Sequence, residues 1–192
     1  INLKIAIGAK LKTSPWGGGN QFISSLVMEL RRRGDIVTFD LKDDDIDIIL
    51  LVDPRSYVEG ITFGSLEIIY YLLFINNKSV VIHRINECDE RKKSRFMNKF
   101  LKWSNYCADY TVFISSWLRT LDIYQKDTNS CIIMNGADEA IFNTSKNKNI
   151  RWDKKSPLKG RLLIQMFEIS SLRTRLSFYH AIKQLGGSAL TL

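Results

Sequence analysis

The run Ile48-Ile49-Leu50-Leu51-Val52, closed by Asp47 and Asp53, has no polar residue at alternate positions. A strand of this kind is covered on both faces, as in a parallel sheet flanked by helices. Further runs read as strands: Leu3 to Gly8, Ile36 to Phe39, Val80 to Ile82, Asp109 to Ile114 and Cys131 to Met134. Between them, apolar residues recur at helical spacing. One such stretch is 21–33, with Phe22, Ile23, Leu26, Val27 and Leu30; another is Leu66 to Phe74, with Ser65 as a candidate cap. A third, about 92–106, carries Phe96, Phe100 and Trp103 on one side; a fourth, capped by Ser115-Ser116, turns Trp117, Leu118, Leu121 and Tyr124 inward. The alternation predicts an α/β fold, a Rossmann-like parallel sheet with helices on both faces.

Between the first strand and first helix stands Ser14-Pro15-Trp16-Gly17-Gly18-Gly19-Asn20. Three consecutive glycines suit a sharp bend that another group approaches closely. Asn20 is a candidate N-cap, and the free N–H groups of the turn after it would face an anion with the positive end of the helix dipole behind them. A tight turn without ligand explains the same residues. The helix stops well at Arg31-Arg32-Arg33-Gly34, basic residues followed by glycine.

The chain has 192 residues and a net charge of +8, which favours anionic partners in general. Basic residues are not interleaved with exposed aromatics in a nucleic-acid motif, so no nucleic-acid partner is expected. Cys88, Cys107 and Cys131 are odd in number, far apart and without metal-ligand spacing, so no metal is expected and a reducing, cytoplasmic setting is. The apolar run Ile68 to Ile75 is too short to span a bilayer. The stripe Lys92, Arg95, Lys99 and Lys102 reads as a solvated face, with peripheral contact to the inner face of an anionic membrane as a second reading. Residues 143–157 are polar and basic and read as a linker between a domain at 1–142 and a remnant, or the start of a second domain, at 158–192.

Three segments together resemble the N-terminal domain of a retaining, family 4 glycosyltransferase of GT-B fold. They are Pro15-Trp16-Gly17-Gly18-Gly19-Asn20, Arg84-Ile85-Asn86-Glu87-Cys88-Asp89-Glu90-Arg91-Lys92, and Asn135-Gly136-Ala137-Asp138 with Phe142. The resemblance covers about residues 1–165. It implies an acceptor-side domain of an enzyme moving sugar from a nucleotide-sugar donor to a glycan or lipid-linked acceptor. It also implies that the donor domain is missing, so that this fragment is inactive alone. No cofactor or metal is implied, because basic side chains and helix dipoles neutralise the donor diphosphate. The alternative is a non-catalytic nucleotide- or anion-binding module.

Within the resemblance, Gly17, Gly18, Gly19 and Asn20 are the candidate donor-binding residues. His83, read at the carboxyl end of a strand, and Asp89 and Glu90, in the polar loop after it, are the candidate catalytic residues. A satisfied structural histidine and helix-capping acids are the plainer explanations of the same three.

Overall fold

A computed structural model describes residues 2–11, 17–136, 159–165 and 172–191. The chain divides into two compact units, Ile1–Gly136 and Ala137–Leu192. The expected linker, 143–157, lies outside the described residues.

The first unit is an α/β Rossmann-like fold. Its strands are β1 (Lys4–Ile7), β2 (Ile36–Thr38), β3 (Ile48–Leu51), β4 (Val80–Ile85), β5 (Tyr110–Phe113) and β6 (Asn129–Ile132). They form one parallel sheet in the order β2-β1-β3-β4-β5-β6. The unalternating apolar runs account for this. Ile5, Ile7 and Leu50 pack on one face against Ile23 and Val27 of α1 (Gly17–Arg32). Their neighbours Ala6, Ile49, Leu51 and Val81 pack on the other face against Ile68 and Tyr71 of α2 (Ser65–Phe74). Further along that second face, Ile85 and Phe113 join Met97 and Leu101 of α4 (Met97–Ser104) and Leu118 of α5 (Ser116–Thr120). Each such side chain contributes roughly 1.5–3 kcal/mol by leaving water. Met134, read as part of the sixth strand, lies beyond its end.

Four local expectations are corrected, the last being the α2 cap expected at Ser65. The glycines do not form a loop ahead of the first helix: α1 begins at Gly17, so Gly18, Gly19 and Asn20 are its first turn and Asn20 is not its cap. The stretch 92–106 is not one helix. Lys93 takes φ 52, the left-handed region, and separates a short α3 (Asp89–Lys92) from α4; a 3-10 turn, Asn105–Cys107, follows. Trp117, expected inward, is exposed, whereas Leu118 and Tyr124 are buried. The cap at Ser115 does form, its Oγ accepting from the Leu118 N–H at 3.4 Å. At α2 the cap is Gly64, whose N–H donates to Glu67 Oε2 at 3.0 Å.

The second unit contains β7 (Leu162–Gln165), α6 (Leu172–Gln184) and β8 (Ser188–Thr191). β7 and β8 pair in parallel, Leu162 opposite Ser188 and Gln165 opposite Thr191. The helix is stopped by Gly186 at φ 81, and the Gly187 N–H returns to the Ile182 carbonyl at 2.9 Å.

Gly64 is where the backbone is crowded most. A Cβ there would lie 2.4 Å from the Pro54 carbonyl oxygen and 2.8 Å from the Ser56 nitrogen, both backbone atoms. Gly64→Ala should therefore lower stability by about 2–3 kcal/mol, measured by urea unfolding; a change under about 0.5 kcal/mol, the range of neutral surface substitutions, would show that the two segments are not packed this way.

Candidate functional site

Parallel strands deliver all their carboxyl ends to one edge, and in such sheets ligands bind there, where the strand order reverses direction. In the first unit that point lies between β1 and β3, since β2 flanks β1 on one side and the later strands follow on the other.

His83 is not at this edge. It pairs within the sheet, opposite Leu51 on one side and Thr111 on the other, and is fully buried. Asn105 Nδ2 donates to His83 Nδ1 at 3.1 Å and to Thr111 Oγ1 at 2.8 Å, while Asn105 Oδ1 accepts from the Gln125 N–H at 2.7 Å. With Nδ1 accepting, the ring proton sits on Nε2, which has no partner among the described residues. Burial pushes the imidazole down to about 4, against a weaker opposing pull from Asp53. The ring is a neutral part of the packed second face.

Asp89 and Glu90 are bound into the start of α4. Asp89 Oδ1 accepts from the Met97 N–H at 2.9 Å and from Ser94 Oγ at 2.6 Å, and Oδ2 accepts from the Asn98 N–H at 3.1 Å. Asn98 replies on both sides: its Oδ1 accepts from the Asp89 N–H, and its Nδ2 donates to both Glu90 oxygens. Desolvation tends to raise the Asp89 carboxyl, but the hydrogen bonds from Ser94, Asn98 and Met97 outweigh it and hold the group below its usual range. Glu90 is also lowered, first by backbone N–H donation and then by Asn98 and Cys88.

The residue that reaches the edge is Arg84, next in β4 and on the opposite face from His83. It is 4% exposed. Its guanidinium lies 3.7 Å from the centre of the Phe22 ring, and Nη2 donates to Asn135 Oδ1 at 2.9 Å. A cavity of about 210 Å³ is lined by Arg84 near the end of β4 and Asn86 just after it, Ala9 and Lys10 after β1, Val52 after β3, and Gly19 and Asn20 of α1. The structure thus brings Gly19 and Asn20 beside Arg84, which the sequence reading did not single out. It does not bring His83, Asp89 or Glu90 to that cavity. No cluster of metal-ligating residues occurs among the described residues.

In the second unit, β7 leads through 166–171 to α6, whose first turn carries Arg173, Thr174 and Arg175 in sequence. The first turn of a helix of this length is the positive end of its dipole.

Fold and edge together define an α/β chain with parallel βαβ units. Comparison with known proteins then adds chemistry. Residues 122–192 match the family model described as aspartate/ornithine carbamoyltransferase, carbamoyl-P binding domain. The chain is also similar to the ornithine carbamoyltransferases of Dechloromonas aromatica (strain RCB) and Aromatoleum aromaticum (strain DSM 19018 / LMG 30748 / EbN1), 49% identical to each over 47 residues. Each aligned stretch is 24% of this chain and 15% of the relative, so the chain spans well under two thirds of the curated relatives it matches.

These matches overturn the glycosyltransferase resemblance. The nucleotide-sugar donor and the glycan or lipid-linked acceptor fall with it, and the alternative of a nucleotide-binding module has no support. The three segments that carried the resemblance were short; Gly17 to Asn20 prove to be helix, and most of the third segment lies outside the described residues. No helix among the described residues is long and apolar enough to cross a membrane.

The buried histidine makes a pH prediction. Its folded pKa, about 4, is below the unfolded value of 6.5, so between those values the unfolded chain binds the extra proton. Stability should be unaffected by this group above pH 6.5 and fall by about 3 kcal/mol toward pH 4. In His83→Gln that part of the slope should vanish, as followed by urea unfolding at a series of pH values; equal slopes in both proteins would contradict the assignment.

Proposed function

We propose that residues 122–192 contribute to a carbamoyl-phosphate site, and that the protein they belong to transfers a carbamoyl group to an amine such as ornithine. The match of those residues to the carbamoyl-P binding domain carries the proposal. The order strand, connection, helix with Arg173 and Arg175 in its first turn supports it on physical grounds. In such a transfer the amine nitrogen attacks the carbamoyl carbon and gives up a proton, the bond from that carbon to the bridging oxygen breaks, and the phosphate departs with the electron pair and takes up the proton. The group that needs stabilising is therefore a phosphate gaining negative charge. Helix N–H groups and guanidinium donors meet that need without a metal, and charge-assisted hydrogen bonds of this type contribute roughly 1.5–3 kcal/mol each. A cytoplasmic setting is proposed as well, on the free thiols of Cys88, Cys107 and Cys131.

Titration of the ¹⁵N-labelled chain with carbamoyl phosphate should move the backbone amides of 172–175 saturably. Arg173→Gln and Arg175→Gln should each weaken the response by about tenfold or more. Amides at the start of α6 that stay still while carbamoyl phosphate rises to millimolar levels would refute the proposal.

A further inference from the structure

We infer that the crevice at the carboxyl ends of β1, β3 and β4 binds the oxyanion group of a small molecule, with Arg84 as its counter-ion. This site lies wholly in the first unit and stands apart from the carbamoyl-phosphate reading.

The first ground is an uncompensated charge. Arg84 is 96% buried by its 4% exposure, yet no carboxylate among the described residues bonds to it. Its contacts are an amide oxygen, Asn135 Oδ1, and the Phe22 ring. Burial alone acts on its protonation and pushes the guanidinium below its ordinary range, with no acid pulling it back. Arg55 and Arg32 in this unit, by contrast, have acids: Arg55 is forked onto Asp53 at 2.9–3.0 Å, and Arg32 onto Glu29 at 2.7–2.8 Å. A buried cation with no counter-charge among the described residues is costly, and the cost falls when an anion is supplied.

The second ground is position. Arg84 faces a cavity at the switch point of the sheet, bordered by Gly19 and Asn20 in the first turn of the sixteen-residue α1. Lys10 adds a positive charge to the wall and Glu59 a negative one, so Arg84 leaves the lining net positive. Beside Gly18 and Gly19 the helix turn is open, with no atom of the described residues within 4 Å of the ideal Cβ position at either. The third ground is size. About 210 Å³ is below the roughly 300–1,000 Å³ of drug-sized sites, which fits a carboxylate or phosphate on a small skeleton.

Phosphate and acetate separate the two oxyanion sources. The ¹⁵N-labelled full chain is titrated with each at constant ionic strength, chloride making up the balance. The Arg84 Nε–H signal, assigned through its own side chain from the backbone, and the Gly19 and Asn20 amides are followed. All three should shift together with one half-saturation concentration in at least one arm. Lys10→Gln should raise that concentration by about threefold. An Arg84 signal that does not move in either arm, shifts confined to α6 or to exposed lysines, or an unchanged half-saturation in Lys10→Gln would overturn the inference.

Discussion

Parallel pairing of strands is the constraint on which both units depend. A parallel pair cannot be closed by a tight turn, so each strand must be followed by a crossover that covers a face of the sheet. Covering both faces removes the polar side of every central strand, and Ile48 to Leu51 show the result: alternate residues pack on the α1 and α2 faces, and Ile49, Leu50 and Leu51 are buried. The same pairing collects all carboxyl ends at one edge. β4 shows how sharply the two outcomes divide: His83 turns inward into a sealed polar cluster, and Arg84, one residue later, reaches the edge.

That division explains what the sequence showed and what it concealed. Strand positions were legible because continuous apolar runs have few other uses: β1, β2, β3 and β5 fell where expected with ends shifted by at most a residue, and β4 began where expected but ran three residues further. The sixth was misplaced by two residues because Ile133 and Met134 continue the apolar run past the point where pairing ends. β4 was cut short for the opposite reason: His83 and Arg84 look like the end of a buried strand, although Ile85 resumes the pattern, with His83 Nδ1 bonded to Asn105 and the Arg84 guanidinium against Phe22, both distant in sequence.

The helix starts were harder to read. Glycine is a poor helix former by roughly 1 kcal/mol, so Gly17 to Gly19 read as loop, yet packing of Ile23 and Val27 further along α1 carries the helix back to Gly17. The break at Lys93 had no signature either, because lysine seldom adopts positive φ. Its cause is the three-dimensional grip of Asp89 on Met97 and Asn98 across the turn. A nearer signal was overlooked in the last part of the chain. Leu172, Leu176, Tyr179 and Ile182 are spaced for a helix and Gly186-Gly187 end it, with two arginines at its start.

The central claim is that the phosphate chemistry of this chain resides at the start of α6. A crystal structure of the chain grown with carbamoyl phosphate tests it most directly. The account predicts phosphate density against the first turn of α6, with the Arg173 or Arg175 guanidinium in hydrogen-bonding reach. Well-ordered α6 density with nothing bound at that turn, at saturating ligand, would contradict it.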